Sequence, residues 1–463
     1  MDDTLTTFEK FIVQPPKKSI LFISDDARQL SGVAIQSGQV MKSLVKKGYR
    51  VIQIGVTNIE QPQNPINFTF PTGEQITIIP SRTYCDINLI MNVVKGEKID
   101  LVCLMQDPHF FEPLFIHART IRNAVPVLWW TLWDSQLLPK DNGKPHYNTW
   151  MYESCNTLAA ISKQSENFCR QIVDRLDETK RPFITYIPHG QDENIFRPLP
   201  EDEIAKFKKH LFPNGDFDFI ALFDSRNQGR KKAADLIYAW ELFNQSLSPE
   251  QAVKTVLLLH TERVSMAGTD LTEVKDALAP SRNIFIDEAK VPAELLNLLY
   301  NASDVVCQVS NAEGFGISCN QALLAGRPLI GAVTGGIQDS IGFFDKAGSP
   351  IQFTKDFCSN SDGKYKTHGC WSYPVYPACR TVVGSPQTPY LFDEDVSHEG
   401  IKEALLYWYN VPADERNRRG LKGRDYALTN KMNSKDLAEL FEQAILKTIA
   451  DYKKDDLFEL YPV

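Results

Sequence analysis

Residues 311–336, NAEGFGISCNQALLAGRPLIGAVTGG, set a carboxylate directly before a glycine-bearing turn and a helix. Glu313 ends an apolar run, Gly314-Phe315-Gly316 form the turn, and the spacing predicts a helix over roughly Ser318–Ala325. The glycines let a ligand approach the backbone. The amides of Gly316, Ile317 and Ser318 open the helix, offering N–H groups and the positive end of its dipole to a phosphate or sugar oxygen. Glu313 is placed to accept hydrogen bonds from sugar hydroxyls. The same pattern also serves as a plain structural turn.

A second cluster is Ser225-Arg226-Asn227-Gln228-Gly229-Arg230-Lys231-Lys232, between an apolar run and the helical pattern AADLIYAWELF. Cations at a helix start oppose its dipole, which favours an anion site over a solvated basic surface. Arg226, Lys231 and Lys232 are among the cations that such an anion site would use. In the first half, Asp107 and His109 in QDPHFFEP and Asp134 at the end of WWTLWD stand at strand ends. Ligands of α/β folds sit beyond the carboxyl ends of the strands, and each residue equally suits a capping or core role.

These residues need strands and helices to position them. Apolar runs at 19–24, 50–56, 99–106, 125–133, 157–162 and 183–190 alternate with amphipathic stretches such as Gln36–Lys47. A second series runs through 218–225, 255–260, 283–288, 304–310 and 327–336. Strands alternating with helices imply parallel sheets covered on both faces. The pattern divides the chain into a first domain over 1–190, a polar proline-bearing linker over 191–204 and a second domain over 205–434. A terminal helical segment, 435–463, is positioned to pack back on the first domain. Residues 341–392 break the alternation and are rich in Gly, Pro, Ser and aromatics. The aromatic content predicts an ordered insertion near the cleft.

The 311–336 stretch resembles the donor-site signature of family 4 glycosyltransferases, an E-G-F-G turn opening an E-x₇-E motif, then a G-x-P strand and a G-G turn. Glu313, Gly314, Phe315, Gly316, Gly326, Pro328 and Gly335–Gly336 match. The second glutamate, which in the family holds the donor's ribose hydroxyls, is Gln321 here. A glutamine keeps a carbonyl acceptor but no charge. The 225–232 cluster resembles the family's G-R-x₄-K element, with Arg226 and Lys231 on its basic positions. Ile187-Pro188-His189-Gly190-Gln191-Asp192 and Phe196-Arg197-Pro198 are similar to its interdomain segment, where His189 reads as an interface residue rather than a base. Gly32, after SDDARQLS, stands like the glycine of the family's first loop. Trp133 occupies the place of a family histidine that lies near the transferred sugar, so the resemblance makes Asp107, His109 and Asp134 the candidates for contacting that sugar and its acceptor.

The resemblance implies the α/β GT-B fold, two Rossmann-like parallel-sheet domains facing across a cleft. It implies a retaining hexosyl- or pentosyltransferase with a nucleotide-sugar co-substrate and neither cofactor nor metal. Glu313 and the Gly316–Ser318 amides would hold the sugar, Arg226 and Lys231 the diphosphate, Gln321 the ribose. Segments such as WTLWD, YESCNTLAAISK and WSYPVYPACR also look like glycosyltransferases carried by tailed phages. This points to a hydroxymethylated pyrimidine in DNA as acceptor, with a surface glycan or small molecule as the alternative. Extruding a base demands aromatics to stack it, for which Trp129, Trp130, Trp133, His109, Phe110 and Phe111 are available, core burial being the other reading of most. A sugar-nucleotide epimerase and an inactive sugar-nucleotide-binding homologue are the rivals from other classes.

Composition narrows the partners. Among 463 residues the net charge is −8, and residues 1–200 hold 21 acidic and 21 basic side chains, leaving 37 against 29 beyond. An acidic chain binds polyanions only through a local basic groove. No run of 18 apolar residues occurs, the neutral first half lacks a basic apolar membrane helix, and MDDTLTTFEKF is too polar for a signal peptide. A cytoplasmic location, the host's if the chain is viral, without stable membrane association is therefore expected. The nine scattered cysteines read as buried reduced thiols. Cys358, His368, Cys370 and Cys379 lack the paired knuckle spacing of a zinc site. Asp393-Glu394-Asp395 is read as helix capping rather than a metal motif, and Asp25-Asp26 as shaping the loop that carries Gly32.

Overall fold

The computed structural model describes residues 17–57, 64–134 and 147–454. Two parallel sheets dominate it. The first has eight strands in the order β3-β4-β2-β1-β5-β6-β7-β8. They are β1 (Ser19–Asp25), β2 (Arg50–Val56), β3 (Ile66–Thr69), β4 (Gln75–Ser81), β5 (Leu101–Gln106), β6 (Val127–Thr131), β7 (Thr157–Ala160) and β8 (Phe183–Tyr186). Only β3 runs antiparallel, on the edge beside β4. The second sheet has six strands, order β11-β10-β9-β12-β13-β14. These are β9 (Phe219–Asp224), β10 (Thr255–His260), β11 (Ile284–Asp287), β12 (Val305–Gln308), β13 (Leu329–Ala332) and β14 (Ser372–Val375).

Central strands β5, β6 and β12 are buried along their whole length, because helices cover both faces of a parallel sheet. In both sheets sequence alternation reverses at the middle strands, which opens a crevice at their carboxyl ends. The helix Gly32–Lys46 follows β1 and is capped by Ser31, whose hydroxyl accepts from the Ala34 amide at 3.0 Å. Ser31 in turn donates to Asp25, which also accepts from Gln106 Nε2 at 2.8 Å and from Tyr84. Asp25 thus ties three segments together at the crevice end of the first sheet.

Helix Ser434–Asp451 lies on the first sheet. The Phe441 ring is 5.1 Å from Trp130 and 6.0 Å from Phe22, and Glu442 receives Lys47 at 2.5 Å. Thr448 meets Thr157 at 2.7 Å. Between the sheets, Asp339 Oδ2 accepts from the Lys163 amide and from Tyr186 Oη, both at 3.0 Å. The chain crosses between the halves at two adjoining places, where Gln191 bridges Asn433.

Several expectations need correction. Residues 201–203, assigned to the linker, form the first turn of the helix Glu201–Leu211. Within the expected insertion, β14 is an edge strand of the second sheet, parallel to β13, and 377–396 form an antiparallel hairpin of β15 (Pro377–Val383) and β16 (Leu391–Val396). Asp393 and Asp395 therefore lie in a strand, and Ser397 is the residue that caps the next helix. Strands β3 and β4 were not foreseen. Cys370 and Cys379 are exposed and Cys85 half-buried, unlike the other six thiols. Among the described residues no three His, Cys, Asp or Glu side chains gather as metal ligands. Nor does any described helix have the length and apolarity to cross a membrane. The N-terminal MDDTLTTFEKF and residues 455–463 lie outside the described residues.

Candidate functional site

The site forms where the carboxyl ends of the two sheets meet. Gly316 caps the helix Ile317–Leu324 at φ +88°, a left-handed conformation that glycine adopts without a Cβ penalty. The turn before it packs against Gly336, whose amide donates to the Glu313 carbonyl at 2.9 Å. Across the crevice, a Cβ on Gly314 would lie 2.7 Å from Asp134 Oδ1. A side chain at 314 would therefore displace the Asp134 carboxylate. Gly32 faces the same turn, its would-be Cβ 3.3 Å from Ile317 Cδ1.

Glu313 is buried and is the hub. Lys231 Nζ donates to its Oε2, Arg230 Nη1 stands 3.4 Å away, and Gln308 Nε2 donates to the same oxygen at 3.4 Å. Burial works against ionisation here, but Lys231 and Arg230 outweigh it and hold the carboxyl below its ordinary range. Arg230 also donates to the Ala312 carbonyl at 2.8 Å and reaches Asp134 Oδ2 of the first half at 3.7 Å. Burial opposes its charge, yet Asp134, Glu313 and Asp107 raise its pKa.

Asp107 lies within the field of this cluster. Burial, and then the like charge of Asp134, push its carboxyl up to about 7, with Arg230 acting the other way. His109 sits in the 3₁₀ turn Pro108–Phe111, its ring tilted by 37° against Phe110 with centroids 4.2 Å apart. Burial lowers its pKa, and among the described residues it makes no hydrogen bond or ion pair. His189 is buried between Trp130 and Phe315, with ring centroids at 4.7 and 5.2 Å. Burial drives its pKa to about 3, so it is a neutral packing group.

Two cations take other partners. Arg226 is largely exposed and stands 3.6 Å from Glu262, while Lys232, at φ +60°, pairs with Asp395 at 2.6 Å. Ser318 donates to Gln308 Oε1 at 3.5 Å. Gln321 is buried, with Oε1 2.9 Å from Tyr300 Oη and Nε2 3.3 Å from Gln191 Oε1. The expected free carbonyl at 321 is thus already engaged. The aromatic platform expected for a flipped base is largely core. Trp129, Trp130 and Phe111 are fully buried and Trp133 nearly so, leaving Phe110 exposed.

Sequence reasoning missed Arg230, which sits in the unspecified stretch of G-R-x₄-K. Nothing in the Arg-Lys-Lys run separates it from its neighbours, because its partners Glu313 and Asp134 come from other elements. The hairpin was missed as well. Asn311 Nδ2 donates to Asp393 at 3.0 Å and Asp395 at 3.1 Å, clamping β16 onto the loop before Glu313.

With this arrangement in view, comparison with solved structures decides the architecture. The chain superposes over 94% of its length on the whole of sucrose-phosphate synthase from Thermosynechococcus elongatus, with TM-score 0.66 at 15% identity. It matches Anabaena HepE in complex with UDP and glucose over 93% of its length and all of that chain, with TM-score 0.62 at 13% identity. The fold is GT-B. In GT-B terms, β1–β8 form the first Rossmann-like unit and β9–β14 the second. No family model matches the sequence. Of curated relatives, trehalose synthase from Pyrococcus horikoshii is 22% identical over 205 residues, 42% of this chain and 49% of that protein. D-inositol 3-phosphate glycosyltransferase from Segniliparus rotundus is 25% identical over 166 residues, 33% of this chain and 32% of that protein. The chain thus spans about half or less of either.

Proposed function

We propose that the chain is a nucleotide-sugar-dependent, retaining glycosyltransferase. The observation that carries this reading is the Lys231–Glu313–Arg230–Asp134 chain of charges, which joins the two GT-B halves at the mouth of a glycine turn. One relative named as a glycosyltransferase, one named as a synthase, and a neighbour named as holding UDP and glucose support the same reading.

Glu313 and the turn amides hold the donor sugar, while Lys231 and the exposed Arg226 neutralise the diphosphate. These fixed cations supply the leaving-group stabilisation that a divalent metal supplies elsewhere. The acceptor hydroxyl enters from Asp107 and Asp134, with His109 at the rim. Its oxygen bonds the anomeric carbon as the bond to phosphate breaks, on the same face, and the phosphate oxygen takes its proton. Closure of the halves excludes water that would hydrolyse the donor.

Burial of Trp129, Trp130 and Trp133 favours a compact hydroxyl acceptor, a small molecule or glycan end, over an extruded hydroxymethylated pyrimidine. A nucleotide-sugar panel in EDTA, scored for nucleotide release with monosaccharides, polyols or hydroxymethylated DNA, tests the reading. Acceptor-dependent release from one donor is expected. Epimerisation without acceptor, or no consumption of any donor, overturns it.

A further inference from the structure

Position 321 carries an amide where the resemblance calls for a carboxylate, and a carboxylate stands close by on another element. Tyr300 Oη, on the helix Ala293–Ala302, is 2.6 Å from Asp224 Oδ2 and 2.9 Å from Gln321 Oε1. The tyrosine has one proton for these two acceptors. A glutamate at 321 would set a second full charge on that proton, beside Asp224. The neutral glutamine does not.

Asp224 ends β9 at the crevice, and its side chain is 14% exposed, so a ligand can reach it. His260, at the end of β10, faces acceptors with both ring nitrogens. Nδ1 lies 2.8 Å from Asp224 Oδ1 and Nε2 lies 2.8 Å from the Ala289 carbonyl. Two acceptors require two N–H groups, so the ring is an imidazolium. Its elevated pKa of about 9 agrees, with Asp224 outweighing the cost of burial. Asp224 is thus fixed from two sides, by the His260 ring and the Tyr300 hydroxyl, with lone pairs left over beyond those that they engage.

We infer that Asp224, not Gln321, is the residue that accepts hydrogen bonds from the ribose hydroxyls of a bound nucleoside diphosphate, with Tyr300 and His260 as its positioning residues. The spare lone pairs suit the two donors of a vicinal diol, and the ends of parallel strands are where such folds hold ribose. The inference rests on the nucleotide-sugar reading above.

The test is calorimetric titration of the full chain with UDP, ADP and GDP and their 2′-deoxy counterparts. Wild type should bind one ribonucleotide at least about 10-fold more tightly than its deoxy form, the worth of one charge-assisted hydrogen bond. Asp224→Asn should lose most of that discrimination while binding the deoxy form nearly as before. Gln321→Glu, which keeps Asp224 intact, should weaken ribonucleotide binding. Discrimination retained in Asp224→Asn, or tighter ribonucleotide binding in Gln321→Glu, overturns the assignment. Wild type binding none of the diphosphates would instead remove the nucleotide-sugar reading, and this inference with it.

Discussion

The Lys231 ammonium and the Glu313 carboxylate, 82 residues apart in sequence, form a buried ion pair on which Arg230 also converges. A buried pair of this kind gives little net stability, but breaking it leaves an uncompensated charge.

Lys231→Ala should therefore cost about 3–5 kcal/mol of stability and lower transfer by about 100-fold or more. The double variant Lys231→Ala with Glu313→Gln should regain most of the stability and none of the turnover. Denaturant titration and donor consumption, measured side by side, separate the two effects.

Arg226 and Arg230 should divide differently. Arg226 pairs with Glu262 in solvent, and such pairs contribute about 0–1 kcal/mol. Arg226→Ala should lower turnover with an unchanged unfolding midpoint. Arg230→Ala, which uncovers Glu313 and Asp134, should reduce both. Equal unfolding midpoints for the two variants would contradict this division.

The acceptor side should titrate near neutrality. Asp107 holds its proton up to about 7, and only its ionised form gives an incoming hydroxyl a charge-assisted hydrogen bond. Transfer should rise as pH climbs through 7 at saturating donor, and Asp107→Asn should abolish that limb of the profile along with most of the rate. A flat wild-type profile between pH 6 and 8 would remove Asp107 from this role.

His189 gives a stability signature of opposite origin. The unfolded chain takes a proton near the ordinary histidine value of about 6.5, while the folded ring refuses one until about 3. Its contribution is complete above 6.5 and is lost as pH falls toward 3, at about 1.4 kcal/mol per pH unit. His189→Phe, which keeps a ring between Trp130 and Phe315, should flatten that part of the stability curve in thermal melts.

Much of the architecture was legible because parallel strands announce themselves as continuous apolar runs. SILFIS, RVIQIGV and TVLLLH fall on β1, β2 and β10 almost residue for residue. The glycine turn was legible too: the left-handed φ at 316 favours glycine, and at 336 a Cβ would run into the backbone of Gly314 and Phe315. Strands β3 and β14 were not: β3 is a four-residue edge strand with half-exposed side chains, and β14, though mostly buried, is Ser-Tyr-Pro-Val, with a single aliphatic residue to show. Arg230 and Asp224 escaped for another reason. What they do depends on groups brought from other strands, Asp134 and Glu313 for one and Tyr300 and His260 for the other, and no local spacing encodes such meetings.

The helix Ser434–Asp451 carries a consequence for how the molecule is made. It covers Phe22 and Trp130 on the first sheet, and its Glu442 meets Lys47, a residue translated 395 positions earlier. On the ribosome the leading half must wait, its aromatic face bare, while the whole second sheet is synthesised. That interval is long enough for apolar surface to recruit chaperones or to aggregate. The first half is thus finished last, and a chain stopped before residue 434 would leave Phe22 and Trp130 without that cover.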